Sequence, residues 1–144
     1  MKTLKINHAA VLVLVLLSQI IGAMWFSPFL FAEKWVMLTG KSMSDFTNAS
    51  MTPYFVSIVA SIITTYAIAY LFVKLNVENF IKGMYYAFIF WFAFVLVELM
   101  TFNSFELRHY GLTWIDAGKS FVTFMVSGFI LGMWKKYDKP AENI

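Results

Sequence analysis

The chain has 144 residues, of which 60% are hydrophobic, 19% aromatic and only 13% charged, where a soluble domain carries about 25% charged residues. That deficit excludes a water-covered surface, and four apolar runs near the ~20 residues that cross ~30 Å of hydrocarbon leave no length for a separate soluble catalytic domain. The net charge of +3 comes from lysines set singly at helix ends, which excludes a nucleic-acid surface, and the lack of cysteine excludes disulfides, thiolate metal sites and a thiol nucleophile.

Met1–Ala23 has Lys2 and Lys5 ahead of an apolar stretch, as a signal peptide does. The apolar run continues through Met24, Trp25 and Phe26, however, and Ile21-Gly22-Ala23 is a poor cleavage site. An uncleaved first helix is expected over about 8–27, capped by Asn7. Ser27-Pro28 reads as a break, because proline disfavours helical geometry in the residue before it and fits the first turn of a new helix. A short interfacial helix over 28–38 should follow, closed by Gly40, with Phe31 and Trp35 beside Glu33 and Lys34. Ser42 to Asp45 has the form of a capping box. Thr52 as cap and Pro53 as first residue open a second spanning helix over 53–73.

Lys74–Asn79 is a short turn, a third helix covers 80–102, and a polar loop runs from Asn103 to Leu112. Thr113 and Asp116 read as a second capping box opening a fourth helix over 114–134. The fold expected is all-α: one integral membrane domain over 1–144, a four-helix bundle with an interfacial helix after its first transmembrane helix. Lys2, Lys5, Lys74, Lys82, Lys135, Lys136 and Lys139 fall on one side and Lys34, Lys41, Arg108 and Lys119 on the other. The richer side should be cytoplasmic, and it holds both termini.

Glu98 is the most informative polar residue, flanked by Val97 and Leu99 about four residues inside its helix end. A carboxylate there costs at least a few kcal/mol unless it is paired, hydrated or protonated. Lys119 sits at a similar depth from the same face, so the two are expected within about 4 Å of each other or bridged by one water. Such a pair either braces the bundle or forms the charged centre of a solute or proton site. Asp116, Lys119, Ser120, Thr123 and Ser127 share one helix face. Tyr54, Ser57, Ser61 and Thr64 form a matching stripe, and the first helix offers Ser18, Gln19, Gly22 and Trp25. These groups either glue the helices together or line a polar cavity open to the outside; capping alone already accounts for Asp116. The candidate site is therefore Glu98, Lys119, Asp116, Ser120, Thr123 and Trp25, with Gly128, Gly132, Ser18 and Gly22 as packing positions. Whether the Gly128–Gly132 face meets a helix of this chain or of a partner is open. His8 and His109 lie at opposite ends of the bundle, roughly 30 Å apart, and cannot share a metal or haem. No nucleophile–base pair, phosphate loop or zinc motif is present, so neither a catalytic residue nor a cofactor is expected.

Ile6-Asn7-His8-Ala9-Ala10-Val11, then Trp25-Phe26-Ser27-Pro28 with Phe31 and Trp35, resemble an uncharacterised bacterial membrane family catalogued as domain of unknown function 1761. Trp91 with Phe94-Val95, Phe105-Glu106, Ala117-Gly118 and Gly128 to Trp134 extend the resemblance over nearly the whole chain. It implies a four-helix protein of the bacterial plasma membrane and lends no activity, substrate or catalytic residue. That family often reads Asn-Ala-Gly-Tyr-His where this chain has Asp116-Ala-Gly-Lys119-Ser120, and it is commonly uncharged at Glu98. Two readings of function stand side by side. One is a small solute or proton bound or conducted through an outward-facing polar cavity; the other is a non-catalytic accessory subunit or assembly factor. The partners implied are the lipid bilayer, a small-molecule ligand, and a second copy or another membrane protein, with no nucleic acid.

Overall fold

Asn7 opens the first helix in the manner its position requires: its backbone is extended and its side-chain oxygen accepts from the Ala10 N–H at 3.3 Å. The computed structural model describes residues 3–48 and 50–138; Lys2 and Lys139 of the charge count lie outside the described residues. Helix α1 (His8–Trp25) buries Ala10, Val11, Leu14, Val15 and Ser18 on one face and leaves Leu12, Leu16, Ile20 and Met24 exposed. A helix apolar all round suits hydrocarbon rather than water. Among the described residues four helices are long and apolar enough to cross a membrane: His8–Trp25, Thr52–Lys74, Phe80–Phe105 and Tyr110–Met133.

The chain breaks after Trp25 as Ser27-Pro28 requires, but the next helix starts later than expected. The Ser27 carbonyl accepts from the Leu30 N–H at 3.0 Å, so Pro28 takes the second position of a turn, where its fixed φ fits equally well. Helix α2 (Ala32–Thr39) follows and ends at Gly40, whose φ of +68° is left-handed. Helix α3 (Met43–Thr47) carries the expected box, with the Asp45 carboxylate accepting from the Ser42 N–H at 2.8 Å and its hydroxyl at 2.9 Å. Helix α4 (Thr52–Lys74) has Pro53 in its first turn, and Met51 rather than Thr52 is the cap.

The third span is one rod in three parts. Helix α5 (Phe80–Trp91) is capped by Asn79, a single π-turn covers Phe92–Leu96, and α6 (Val97–Phe105) completes it. Its buried positions Gly83, Ala87 and Trp91 are four apart, and the next, Leu96, is five further on. The rod runs three residues past its expected end, so Asn103 is helical and buried and donates to the Thr113 hydroxyl at 2.9 Å.

Helix α7 (Tyr110–Met133) starts three or four residues early, capped by the His109 ring, which accepts from the Gly111 N–H at 2.9 Å. The expected capping box is therefore wrong: Thr113 lies inside the helix, 1% exposed, and Asp116 accepts from the Trp35 indole instead. Burying Asn103 requires a partner, and Thr113 supplies it only from within a helix. Helix α7 is central, touching α1, α2, α4, α5 and α6.

The most extensive of these contacts, with α5, is made through glycines. A Cβ on Gly83 would lie 2.2 Å from the Gly128 carbonyl oxygen, and one on Gly132 would lie 2.7 Å from the Asn79 oxygen. The Gly128–Gly132 face thus meets a helix of this chain. At the opposite end from α2, strand β1 (Leu4–Lys5) pairs antiparallel with β2 (Lys136–Tyr137). A Lys5–Asp138 ion pair and an Asn7 side-chain bond to the Trp134 carbonyl at 3.1 Å reinforce this strap.

Candidate functional site

Above Thr65, α4 leans away from α7. Its residues 52–60 are all exposed, whereas Thr65, Ile68, Ala69 and Phe72 are buried against α1 and Leu131. This leaves a cleft of about 990 Å³ between α1, α4 and α7 on the side of the bundle that carries α2. Ser18, Gln19 and Gly22 line it from α1; Tyr54, Ser57, Ser61 and Thr64 from α4; and Lys119, Ser120, Thr123 and Ser127 from α7. The three polar stripes read from the sequence therefore meet in one space. Phe26 and Trp35 stand at its α2 side.

Gln19 organises the α1–α4 wall. Its amide nitrogen donates to Ser61 Oγ at 3.1 Å and Ser18 Oγ at 3.2 Å, while its oxygen accepts from Ser57 Oγ at 3.0 Å. On α7 the hydroxyls of Ser120, Thr123 and Ser127 donate to carbonyls one turn back. Lys119 differs from all of these. Among the described residues its ammonium makes no hydrogen bond and no ion pair, and its stem lies beside Gly22, whose Cβ position would be 3.6 Å from Lys119 Cε. Because α7 begins at Tyr110, Lys119 is nine residues into the helix, about 13 Å from its start at 1.5 Å per residue. That is some two and a half turns, not the single turn expected.

Glu98 is not part of the cleft. It is exposed on the bundle's perimeter with no ion pair to Lys119 or to any other described residue. The π-turn is the reason. Glu98 follows the buried Trp91 by seven residues, two turns of an unbroken α-helix, and would then face α7. The extra residue in Phe92–Leu96 rotates everything beyond it by about 100° and turns Glu98 outward.

Three tryptophans, absent from the sequence reading as a group, converge on one turn of α7. The indole of Trp25 (α1) donates to the Ile115 carbonyl at 2.9 Å, that of Trp35 (α2) to Asp116 Oδ1 at 3.0 Å, and that of Trp91 (α5) to the Ala117 carbonyl at 3.0 Å. Gly118 makes room for them, since a Cβ there would sit 2.8 Å from the Trp25 ring. A buried indole needs an acceptor, and that requirement was the one signal in the sequence that could have raised the question. Trp25 and Asp116 thus hold the cleft's α2 side together without lining it. His8 bonds the Tyr66 hydroxyl at 3.0 Å near the strap, far from His109.

These features define a small, all-α membrane protein of four spanning helices with a one-sided polar cleft. The chain belongs to the family described as Protein of unknown function (DUF1761), whose profile matches residues 9–132. Comparison with curated proteins and with solved structures returned no match.

Proposed function

We propose that this protein binds a small anionic solute in the cleft between α1, α4 and α7, with the Lys119 ammonium as its charge anchor. The observation that carries this reading is the position of Lys119: about 13 Å along its helix and without a partner among the described residues. Asp116, three residues back on the same helix, attracts Lys119 without forming an ion pair with it. An ammonium at that depth costs at least a few kcal/mol unless it is paired or hydrated, and a bound anion would complete the pairing. Below Ser127 the packed side chains of Leu14, Ile68, Phe72 and Leu131 close the bundle, so the reading is binding from one side rather than passage through. The lysine and arginine distribution supports a strap on the cytoplasmic side of the membrane and a cleft open to the outer side. An accessory subunit would be favoured by a glycine groove facing lipid, but Gly128 and Gly132 are covered by α5.

The test is extraction of the protein from its native membrane in neutral detergent, then mass spectrometry of the small molecules released on denaturation. An organic anion retained by the wild type and lost from folded Lys119→Met is the expected result. The reading is overturned if neither protein retains an anion and chloride, phosphate, acetate and succinate all leave the wild-type melting temperature unchanged.

A further inference from the structure

We infer that the ligand of this cleft is an anionic, single-chain amphiphile that reaches it sideways from the bilayer, between α4 and α7. This rests on the anion reading above and goes beyond it in naming the ligand's second, apolar half. The first support is size. A space of about 990 Å³ lies at the top of the ~300–1,000 Å³ that hold drug-sized ligands, far more than a carboxylate or phosphate group fills. The second is the division of the walls. Among the described residues Lys119 is the sole charged group in the lining, whereas Ala23, Phe26, Ala60, Ile68 and Phe124 supply apolar surface. A head that needs one cation and a tail that needs hydrocarbon match those two parts.

The third support is the way the cleft is closed. Its α1–α4 side is latched by the bonds of Gln19 to Ser57 and Ser61. On the α4–α7 side no hydrogen bond or ion pair joins the two helices among the described residues, and residues 52–60 of α4 have no buried member. In a bilayer that gap would open toward the hydrocarbon, since residues 52–60 of α4 are all exposed. The stripe Tyr54, Ser57, Ser61 and Thr64 spans about 15 Å along α4, with Ser57 and Ser61 bonded to Gln19 on the latched α1–α4 wall, so the polar surface a headgroup follows to the level of Lys119 lies across the cleft from the gap. The tail meanwhile stays among acyl chains in the gap.

The experiment uses the full chain in nanodiscs of phosphatidylcholine, with four probes. Laurate has both head and tail, acetate the head alone, dodecanol the tail alone, and phosphatidylglycerol a charged head on two chains. Binding is read from the rise in melting temperature and from quenching of tryptophan by a brominated fatty acid. Laurate is expected to bind at least about tenfold more tightly than acetate, the equivalent of ~1.4 kcal/mol, with dodecanol and phosphatidylglycerol weaker than laurate. Lys119→Met should abolish laurate binding. Ala60→Phe narrows the gap while keeping Lys119, and it should weaken laurate by a similar factor and leave acetate unchanged. Acetate binding as tightly as laurate, in a Lys119-dependent way, overturns the amphiphile and leaves the anion reading intact. Phosphatidylglycerol outcompeting laurate overturns the single chain. Laurate binding equally to wild type and Lys119→Met, or no binding of laurate at all, overturns the amphiphile, and the anion reading is then decided by the chloride, phosphate, acetate and succinate series above.

Discussion

A single methyl group tests whether α5 and α7 truly meet backbone to backbone. A Cβ on Gly83 would lie 2.2 Å from the Gly128 carbonyl oxygen, and one on Gly128 would lie 2.6 Å from that of Gly83. Neither obstacle is a side chain that can swing aside. Alanine at either position must therefore part the helices by about 1 Å, a gap that forfeits a quarter to a half of the dispersion energy between the faces it separates. Overpacking of this kind costs about 1–3 kcal/mol, against which alanine's better helix propensity returns about 1 kcal/mol. Gly83→Ala and Gly128→Ala should each destabilise by up to about 2 kcal/mol net. Gly22→Ala is the control, since its Cβ would meet only the flexible Lys119 stem at 3.6 Å, and it should be neutral or slightly stabilising. In the Gly83/Gly128 double alanine variant the helices are already parted by the first methyl, so its loss should fall at least about 0.5 kcal/mol short of the summed single losses. Unfolding in mixed micelles by increasing dodecyl sulfate, followed by tryptophan fluorescence, measures all four variants. Gly128→Ala matching Gly22→Ala in stability would refute the close contact, and strict additivity would refute a shared displacement.

Cysteine substituted singly for Asn48, Asn76 or Asn143 and probed on intact cells with an impermeant maleimide should label at Asn48 alone; labelling at Asn76 without Asn48 reverses the orientation. Glu98→Leu should leave stability unchanged or raise it and should add to Lys119→Met within about 0.5 kcal/mol, because the two side chains do not meet; coupling beyond about 1 kcal/mol would restore the pair. Hydrogen bonds from the Ser42 N–H and hydroxyl hold the Asp45 carboxyl below its ordinary value of 3.8. Since the folded state has the lower value, the α3 cap is complete above pH 3.8 and is lost as the pH falls through that lower value. An NMR titration of Asp45 with its midpoint at or above 3.8 would contradict the bond.

Local chemistry made several features readable from the sequence. Run length placed the four spans, the side chain of Asn7 fixed one helix start, and Gly40 fixed a helix end. Polar spacing brought Ser57, Ser61, Lys119 and Thr123 to one cleft. What could not be read was rotation. In a helix apolar on every side, hydrophobic periodicity does not reveal the inward face, so nothing in Phe92–Leu96 announced the extra residue that turned Glu98 away from Lys119. The start of α7 was misplaced for a related reason. Thr113 and Asp116 match a capping box by spacing, and only the long-range partners Asn103 and Trp35 show that both are already inside the helix.

The small sheet joining residues 4–5 to residues 136–137 sets a condition on biosynthesis. Its second strand leaves the ribosome only after every span has been made, so the first strand waits unpaired through the whole of membrane insertion. Pairing then demands that the two segments emerge on the same face, which an even number of crossings satisfies and an odd number forbids. A chain in which one helix failed to insert would strand β1 and β2 on opposite faces, with their backbone bonds and the Lys5–Asp138 pair unmade. The strap is thus a parity check, closing only over an even number of crossings.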